Sequence, residues 1–315
     1  MANTLLTVII PVLNRKNKLW RTLMSISSQD HIEPGRISLI IVDNGSTDGA
    51  IDITEAWIKK DAPQWLDVTM VKESRPGTCA ARNRGLAEAQ SDWVMFFDSD
   101  DLMKPNHLHS VIESIENAND ADVIYWDVAY ETEDGKCGVH RKAGRNIWFN
   151  AVMRGILSTQ RYCCRRKTIQ WAGGWNEELW GWNDWELSLR LIGSGARLQY
   201  HTGKPTVTVM VHRESITGES FTSGAGKWEA SMAIAREYAQ RAGLDYVVQL
   251  IDMKGAVLAG DYAREGSTEL SHRLLNKLYS HGDVSRWRLR FIAGWQRIAG
   301  RWSSVALWLT GGWKL

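Results

Sequence analysis

Trp93-Val94-Met95-Phe96-Phe97-Asp98-Ser99-Asp100-Asp101 sets five apolar residues in a row and then three carboxylates within four positions. The apolar run does not alternate, so a strand made from it is covered on both faces, as in a parallel sheet. The same grammar recurs upstream. Ser38-Leu39-Ile40-Ile41-Val42 precedes Asp43-Asn44-Gly45-Ser46, and an apolar run over 6–10 precedes Pro11. Helical patterns fall between these runs, at 17–27, 48–60, 79–89 and after Pro105. Further strands are expected at 68–71 and near 122–130. This βαβα beat predicts a mostly parallel central sheet flanked by helices. Ligands bind such sheets at the carboxyl ends of the strands, so Pro11, Asp43 and the acidic turn 98–101 share one rim.

An acidic turn alone is equally well a helix cap. Three carboxylates at the end of a buried strand repel one another, however, unless a cation offsets them. A nucleotide-sugar diphosphate needs a hard divalent cation as its leaving group departs, and such cations take oxygen ligands. Strand alternation sends Asp98 and Asp100 the same way, one toward a nucleotide and the other toward a metal. Asp101 then points elsewhere and suits capping the helix that Pro105 helps begin. Asp43 is placed to accept hydrogen bonds from a base or ribose. Asn44-Gly45 reads as a turn pair and Ser46 or Thr47 as an N-cap.

The pattern weakens over 135–158. It recovers at Gly173-Gly174-Trp175 and at Trp180-Gly181-Trp182-Asn183-Asp184-Trp185-Glu186. Sugar transfer needs a carboxylate to take the acceptor's proton. Asp184, at the start of an apolar-periodic helix, is the candidate base, with Glu186 as runner-up. The surrounding tryptophans frame a dry pocket, although tryptophan at such spacing also serves a core. His212 closes the run Val207-Thr208-Val209-Met210-Val211 and is a candidate third metal ligand, since histidine is a common metal ligand, for borderline metals such as manganese among others. The Gly, Ser and Thr-rich stretch 213–226 reads as a mobile loop able to close as a lid.

Val8-Ile9-Ile10-Pro11-Val12-Leu13-Asn14-Arg15, Ile41-Val42-Asp43-Asn44-Gly45-Ser46-Thr47-Asp48, Gly77 with Ala81-Arg82-Asn83-Arg84-Gly85-Leu86, and Phe97-Asp98-Ser99-Asp100-Asp101 together resemble glycosyltransferase family 2. Gly173-Gly174-Trp175-Asn176-Glu177, followed by Asn183-Asp184-Trp185-Glu186, is similar to that family's acceptor region. The resemblance covers about residues 5–215. It implies an α/β GT-A fold, a nucleotide-diphosphate sugar donor (a UDP-sugar), Mn²⁺ or Mg²⁺, and inversion at the anomeric carbon. It also implies Pro11, Asp43, Arg82 and Asp98 as donor contacts, Asp98 and Asp100 as the metal motif, and Asp184 as base. Where the family commonly has Glu-Asp, this chain has Asn183-Asp184. The activity implied is hexosyl or N-acetylhexosaminyl transfer to a glycan or polyprenyl-diphosphate-linked acceptor in bacterial surface polysaccharide synthesis.

Residues 1–225 are expected to form the catalytic domain, with a donor half to about 130 and an acceptor half beyond it, and 226–315 a helical extension. The 315 residues have a formal net charge of +2, which does not advertise a nucleic-acid partner. The four cysteines lack CxxC spacing and read as reduced cytosolic thiols. The N-terminus lacks a basic leader, and no run of 18 apolar residues occurs, so neither export nor a bilayer span is expected. Near the C-terminus, Trp287, Phe291, Trp295, Ile298, Trp302, Val305 and Leu309 recur at helical spacing among arginines, with no acid after Asp283. That composition predicts a helix lying on an anionic membrane, which places the protein on the inner face of the cytoplasmic membrane. Two other readings compete. A sugar-1-phosphate nucleotidyltransferase would want a Gly-rich phosphate loop, which 11–15 lacks, and an inactive glycan- or nucleotide-binding protein is favoured only by Asn183.

Overall fold

The computed structural model describes residues 4–118, 120–142, 145–212 and 220–300. Strands β1 (Leu6–Val12), β2 (Ile37–Asp43), β3 (Leu66–Lys72) and β4 (Trp93–Phe96) alternate with helices α1 (Lys16–Ser27), α2 (Ala50–Lys60) and α3 (Thr78–Glu88). Next come β5 (Leu102–Met103), α4 (His107–Glu116), β6 (Val123–Tyr125), β7 (Val128–Thr132), β8 (Cys137–His140) and α5 (Ile147–Arg154). Then follow β9 (Tyr162–Arg165), α6 (Arg166–Trp171), α7 (Asn183–Gly193), β10 (Leu198–Tyr200) and β11 (Val207–Val211). Four helices end the described chain: α8 (Ala225–Arg241), α9 (Asp245–Arg264), α10 (Thr268–His281) and α11 (Arg286–Ala299). The described residues form two compact units, one within 4–141, 156–178 and 194–212, the other within 142–155, 179–193 and 220–300.

The first unit is built on a seven-stranded sheet of order β10-β6-β9-β4-β1-β2-β3. β1 lies parallel to β2, from Leu6 opposite Ile37 to Val12 opposite Asp43, and parallel to β4 on its other side. Both faces are covered, as the unbroken apolar runs require. Val8, Ile10, Leu39, Ile41 and Met95 join Leu19, Leu23 and Ile26 of α1 in one core. Ile9 meets α3 on the opposite face, so closely that a Cβ on Gly85 would stand 2.3 Å from the Ile9 Cγ2. The parallel rule is broken by β9, antiparallel to both β4 and β6.

The stretch expected as one strand near 122–130 is two strands in different sheets. β6 stays in the large sheet, whereas β7 belongs to a four-stranded sheet of order β5-β11-β7-β8. The break falls after Trp126, whose N–H still continues the β6–β9 pairing, and at Asp127, whose carboxylate turns to a side-chain partner. The Trp126 N–H donates to the Arg161 carbonyl, and the Asp127 carboxylate accepts the Tyr200 hydroxyl at 2.8 Å.

The second unit is helical. α9 is its centre, with Leu250, Ile251, Met253, Leu258 and Tyr262 buried, and α5, α8, α10 and α11 pack around it. α11 turns Leu289, Ile292, Ala293 and Gln296 inward, so its docked face is not the tryptophan face read in the sequence. Trp287, Phe291 and Ile298 stay exposed. Trp302, Val305 and Leu309 lie outside the described residues, as do 213–219 of the expected lid. Residues Phe221 and Thr222 of that stretch donate their N–H groups to the Glu265 carboxylate. No described helix is long and apolar enough to cross a membrane. The four cysteines form no disulfide with one another.

Candidate functional site

The loops after β1 and β2 are laced together by side chains. Asn14 adopts a left-handed backbone, φ 51°, and its Oδ1 accepts the Thr47 N–H at 2.8 Å. The Ser46 hydroxyl accepts the Asn14 N–H, and Asp48 accepts those of Lys16 and Ala50. Neither Ser46 nor Thr47 caps α2, contrary to expectation. Gly49 holds the N-cap position in a left-handed conformation, because the chain must turn once more before the helix. Asp43, buried at the end of β2, accepts the Ser46 N–H at 2.9 Å, and Pro11 pairs with Val42 one residue before it. Asn44 extends the lacing by donating to the Glu73 and Arg75 carbonyls and accepting the Gly77 N–H, which fixes the entry to α3.

α3 delivers Arg82, only 4% exposed, beneath the acidic turn. Its guanidinium lies 4.2 Å from the Trp175 ring centroid and donates to Asp98 Oδ1 at 2.7 Å. The other oxygen of Asp98 accepts Gln160 Nε2 at 2.6 Å. Asp98 and Asp100 lie past the end of β4 at Phe96, so the turn and not strand alternation places them, and each takes its own partners. Asp100 Oδ2 stands 2.9 Å from His212 Nε2, with Arg15 Nε at 4.0 Å. Burial pushes the Asp100 carboxyl up, helped by Asp98 and opposed by Arg15 and His212.

Asp101 is no helix cap. It is 2% exposed, accepts the Met210 N–H of β11 at 2.8 Å and also receives Gln160 Nε2. The turn closed by its own N–H to the Asp98 carbonyl drives its side chain inward. Burial, then Asp98 and Asp100, push its carboxyl well up.

This donor set fits a hard divalent cation. Asp100 Oδ2 and His212 Nε2 are spaced as adjacent ligands are around a six-coordinate ion with bonds of about 2.1 Å. The crowding that raises the Asp100 carboxyl is a cost that a bound cation relieves. Among the described residues no group of three His, Cys, Asp or Glu side chains is placed to hold a metal ion, so the expected trio of Asp98, Asp100 and His212 is not assembled as one, and phosphate and water would have to complete the shell around Asp100 and His212.

Asp184 lies in the second unit, half-buried in the first turn of α7, and its Oδ1 accepts the Trp185 N–H at 2.8 Å. Glu186, the runner-up base, is committed elsewhere. It is 1% exposed and holds Arg190 through two bonds of 2.7 Å. Trp185 is core, its Nε1 donating to the Val152 carbonyl. The Trp182 ring lies 5.8 Å from that of Trp185 and 5.1 Å from that of Trp228. Above Trp182, at 4.6 Å, is the ammonium of Lys254 from α9.

Two residues, one in each unit, escape a motif search. Gln160 sits just beyond the weakly patterned stretch 135–158, where nothing marks it. Lys254 leaves one faint signal, a lone charge inside the otherwise apolar stretch 253–259.

The family model described as Glycosyl transferase family 2 matches residues 7–173. The uncharacterized glycosyltransferase YfnE of Bacillus subtilis is 34% identical over 126 residues, 39% of this chain and 31% of that protein. Glycosyltransferase GlyG of Streptococcus pneumoniae is 28% identical over 179 residues, 54% of this chain and 51% of its own length. The chain thus spans about a third to a half of these curated relatives. Among solved structures, S. aureus TarS in complex with UDP-GlcNAc aligns with TM-score 0.65 and 16% identity, over 98% of this chain and 92% of the other. That likeness is one of fold, and the expected GT-A architecture with a C-terminal helical region is met. Matched over more than half of its length, the chain belongs to glycosyl transferase family 2.

Proposed function

We propose that the chain moves one sugar, hexosyl or N-acetylhexosaminyl, from a UDP-linked donor to an acceptor hydroxyl with inversion at the anomeric carbon. The observation that carries this reading is the gathering of Asp98, Asp100, Arg82 and His212 around one turn at the end of β4. Asp43 and Pro11, at the ends of β2 and β1, border the nucleotide. Arg82 and Gln160 occupy Asp98 from both sides and so fix its orientation toward the donor. Asp100 and His212 would hold Mn²⁺ or Mg²⁺, which when bound offsets the charge of the departing diphosphate. Asp184 takes the acceptor's proton as the new carbon–oxygen bond forms and the bond to the diphosphate breaks. UDP-GlcNAc bound to TarS, at the level of a shared fold, supports the choice of nucleotide.

The acceptor we assign is a glycan or polyprenyl-diphosphate-linked glycan of a bacterial surface polysaccharide. α11 supports it. Its exposed Trp287, Phe291 and Ile298 lie beside exposed Arg286, Arg290 and Arg297, the composition of a helix resting on the inner, anionic face of the cytoplasmic membrane. The catalytic part is residues 1–225 and the extension 226–315.

The test is incubation with a panel of nucleotide sugars and Mn²⁺, followed by assay of released nucleoside diphosphate. Metal-dependent release is expected, reduced at least 100-fold by Asp184→Asn, on the order of what a general base contributes. Formation of a nucleoside triphosphate and sugar-1-phosphate when pyrophosphate is added to the nucleotide sugar would support nucleotidyl transfer instead, and binding without turnover would support an inactive binding protein.

A further inference from the structure

Lys254 projects from the middle of α9, where Ile251, Met253, Gly255, Ala256 and Leu258 are otherwise apolar. Burying an ammonium there is unfavourable unless something compensates. Two indole faces and two carboxylates do so. The Nζ lies 4.6 Å from the Trp182 ring centroid and 5.4 Å from that of Trp185, the two residues that bracket Asp184 in the chain. Asp184 is the stronger of the carboxylates that stabilise its charge, ahead of Asp261. Asp261 is shared in any case, its Oδ1 accepting Arg264 at 2.6 Å and Gln296 at 2.9 Å.

The turn that carries Asp184 is held under strain. Trp182 has φ 47°, a left-handed conformation that a bulky side chain keeps only where its surroundings insist. α8 insists from one side: Ser231 donates its hydroxyl to the Gly181 carbonyl, and Trp228 packs so closely that a Cβ on Gly181 would meet its ring at 2.6 Å. Lys254 closes the clamp from α9. The neighbour of Asp184 in sequence is the neutral Asn183, so no second acid beside it competes for this cation.

We infer that Lys254 is a positioning residue for the transfer step, its cation fixing the Trp182–Trp185 turn and keeping the Asp184 carboxylate ionised while it awaits the acceptor's proton. The inference rests on Asp184 being the base and adds the group that sets its proton affinity. A cation removed from beside a half-buried carboxylate raises that carboxyl's pKa, and one unit is a tenfold change in the ionised fraction below it.

The experiment follows the Asp184 carboxyl by ¹³C NMR over a pH series in the full-length chain, assigned with Asp184→Asn, for wild type, Lys254→Met and Lys254→Arg. UDP-GlcNAc hydrolysis with Mn²⁺ is measured in parallel. Lys254→Met is expected to move the carboxyl titration up by about one unit, and the acid limb of kcat with it, at constant KM. Lys254→Arg should restore both to within a few tenths of a unit, which a loss of packing alone would not allow. An Asp184 titration identical in wild type and Lys254→Met overturns the inference, and Lys254→Gln serves for that comparison if the methionine variant does not fold. A moved titration combined with hydrolysis indifferent to Asp184→Asn overturns Asp184 as base and Lys254's part in transfer, while leaving the electrostatic coupling demonstrated.

Discussion

Lys254 is kept at a cost to stability. Burial lowers its pKa from 10.5 to about 8, against the opposing pull of Asp184 and Asp261. The sign follows from the folded value lying below the unfolded one. Folding disfavours the protonated lysine, so the cost is complete below pH 8 and disappears as pH rises from about 8 to 10.5. Lys254→Met should therefore be more stable than wild type at pH 7 by about 1–3 kcal/mol, with the gain vanishing above about pH 10.5. Urea unfolding at pH 7 and pH 10.5 checks it, and a destabilised variant at pH 7 would remove desolvation as the governing effect. Such a gain is expected where a residue is retained for activity and not for folding. How each residue was legible follows from how local its signal is. Asp98, Asp100 and Asp43 stand directly after apolar runs, so the rim of the sheet locates them. Gln160 and Lys254 reach their partners across 62 and 70 residues of chain and carry no spacing that a reader can use.

Helix α3 must approach β1 and β2 closely if Arg82 is to reach Asp98, and Gly85 is what permits it. A Cβ at Gly85 would stand 2.3 Å from Ile9 Cγ2 and 3.2 Å from Val42 Cγ2, in a helix whose conformation alanine would otherwise favour. Overpacking costs about 1–3 kcal/mol and the gain in helix propensity returns at most about 1, so overpacking wins. Gly85→Ala should lose about 1–2 kcal/mol in urea unfolding and weaken Mn²⁺-dependent UDP binding through Arg82. Gly226→Ala in α8, where no atom lies within 4 Å of the new Cβ, should instead gain up to about 1 kcal/mol. Equal effects at the two glycines would defeat the packing argument. The parallel strands β1, β2 and β4 were readable because burial on both faces leaves an unbroken apolar run. β9 was not, because Tyr162-Cys163-Cys164-Arg165 is four residues long and its antiparallel direction is set by chain far from it. The small sheet escaped for a related reason: β5 is two residues, and β8 is mostly exposed, so neither shows a period.

A formal net charge of +2 over 315 residues gives the molecule little overall attraction for an anionic surface, so any such attraction must be local and oriented. α11 supplies both conditions within the second unit. Its Leu289, Ile292 and Ala293 are committed to the helical core, while Trp287 is 66% and Ile298 89% exposed on the opposite side. Exposed Arg286, Arg290 and Arg297 run along the edge of that apolar strip. Sequence periodicity marks only the face of Trp287, Phe291 and Ile298, and the structure adds a second, docked face on Leu289, Ile292 and Ala293. The free side explains a composition that docking alone leaves unaccounted for. Apolar anchoring and charge must then act together: the full-length chain should sediment with vesicles of anionic phosphatidylglycerol at about 50 mM salt and largely release at about 0.5 M, where the Debye length falls to about 4 Å. Neutral phosphatidylcholine vesicles should retain little of it. The triple variant Trp287→Ser, Phe291→Ser, Ile298→Ser should lose sedimentation while Mn²⁺-dependent UDP binding stays as in wild type, since none of the three belongs to the donor site. Vesicle binding that survives the triple variant, or that ignores lipid charge, would exclude α11 as the membrane-facing element and return its tryptophans to an ordinary surface.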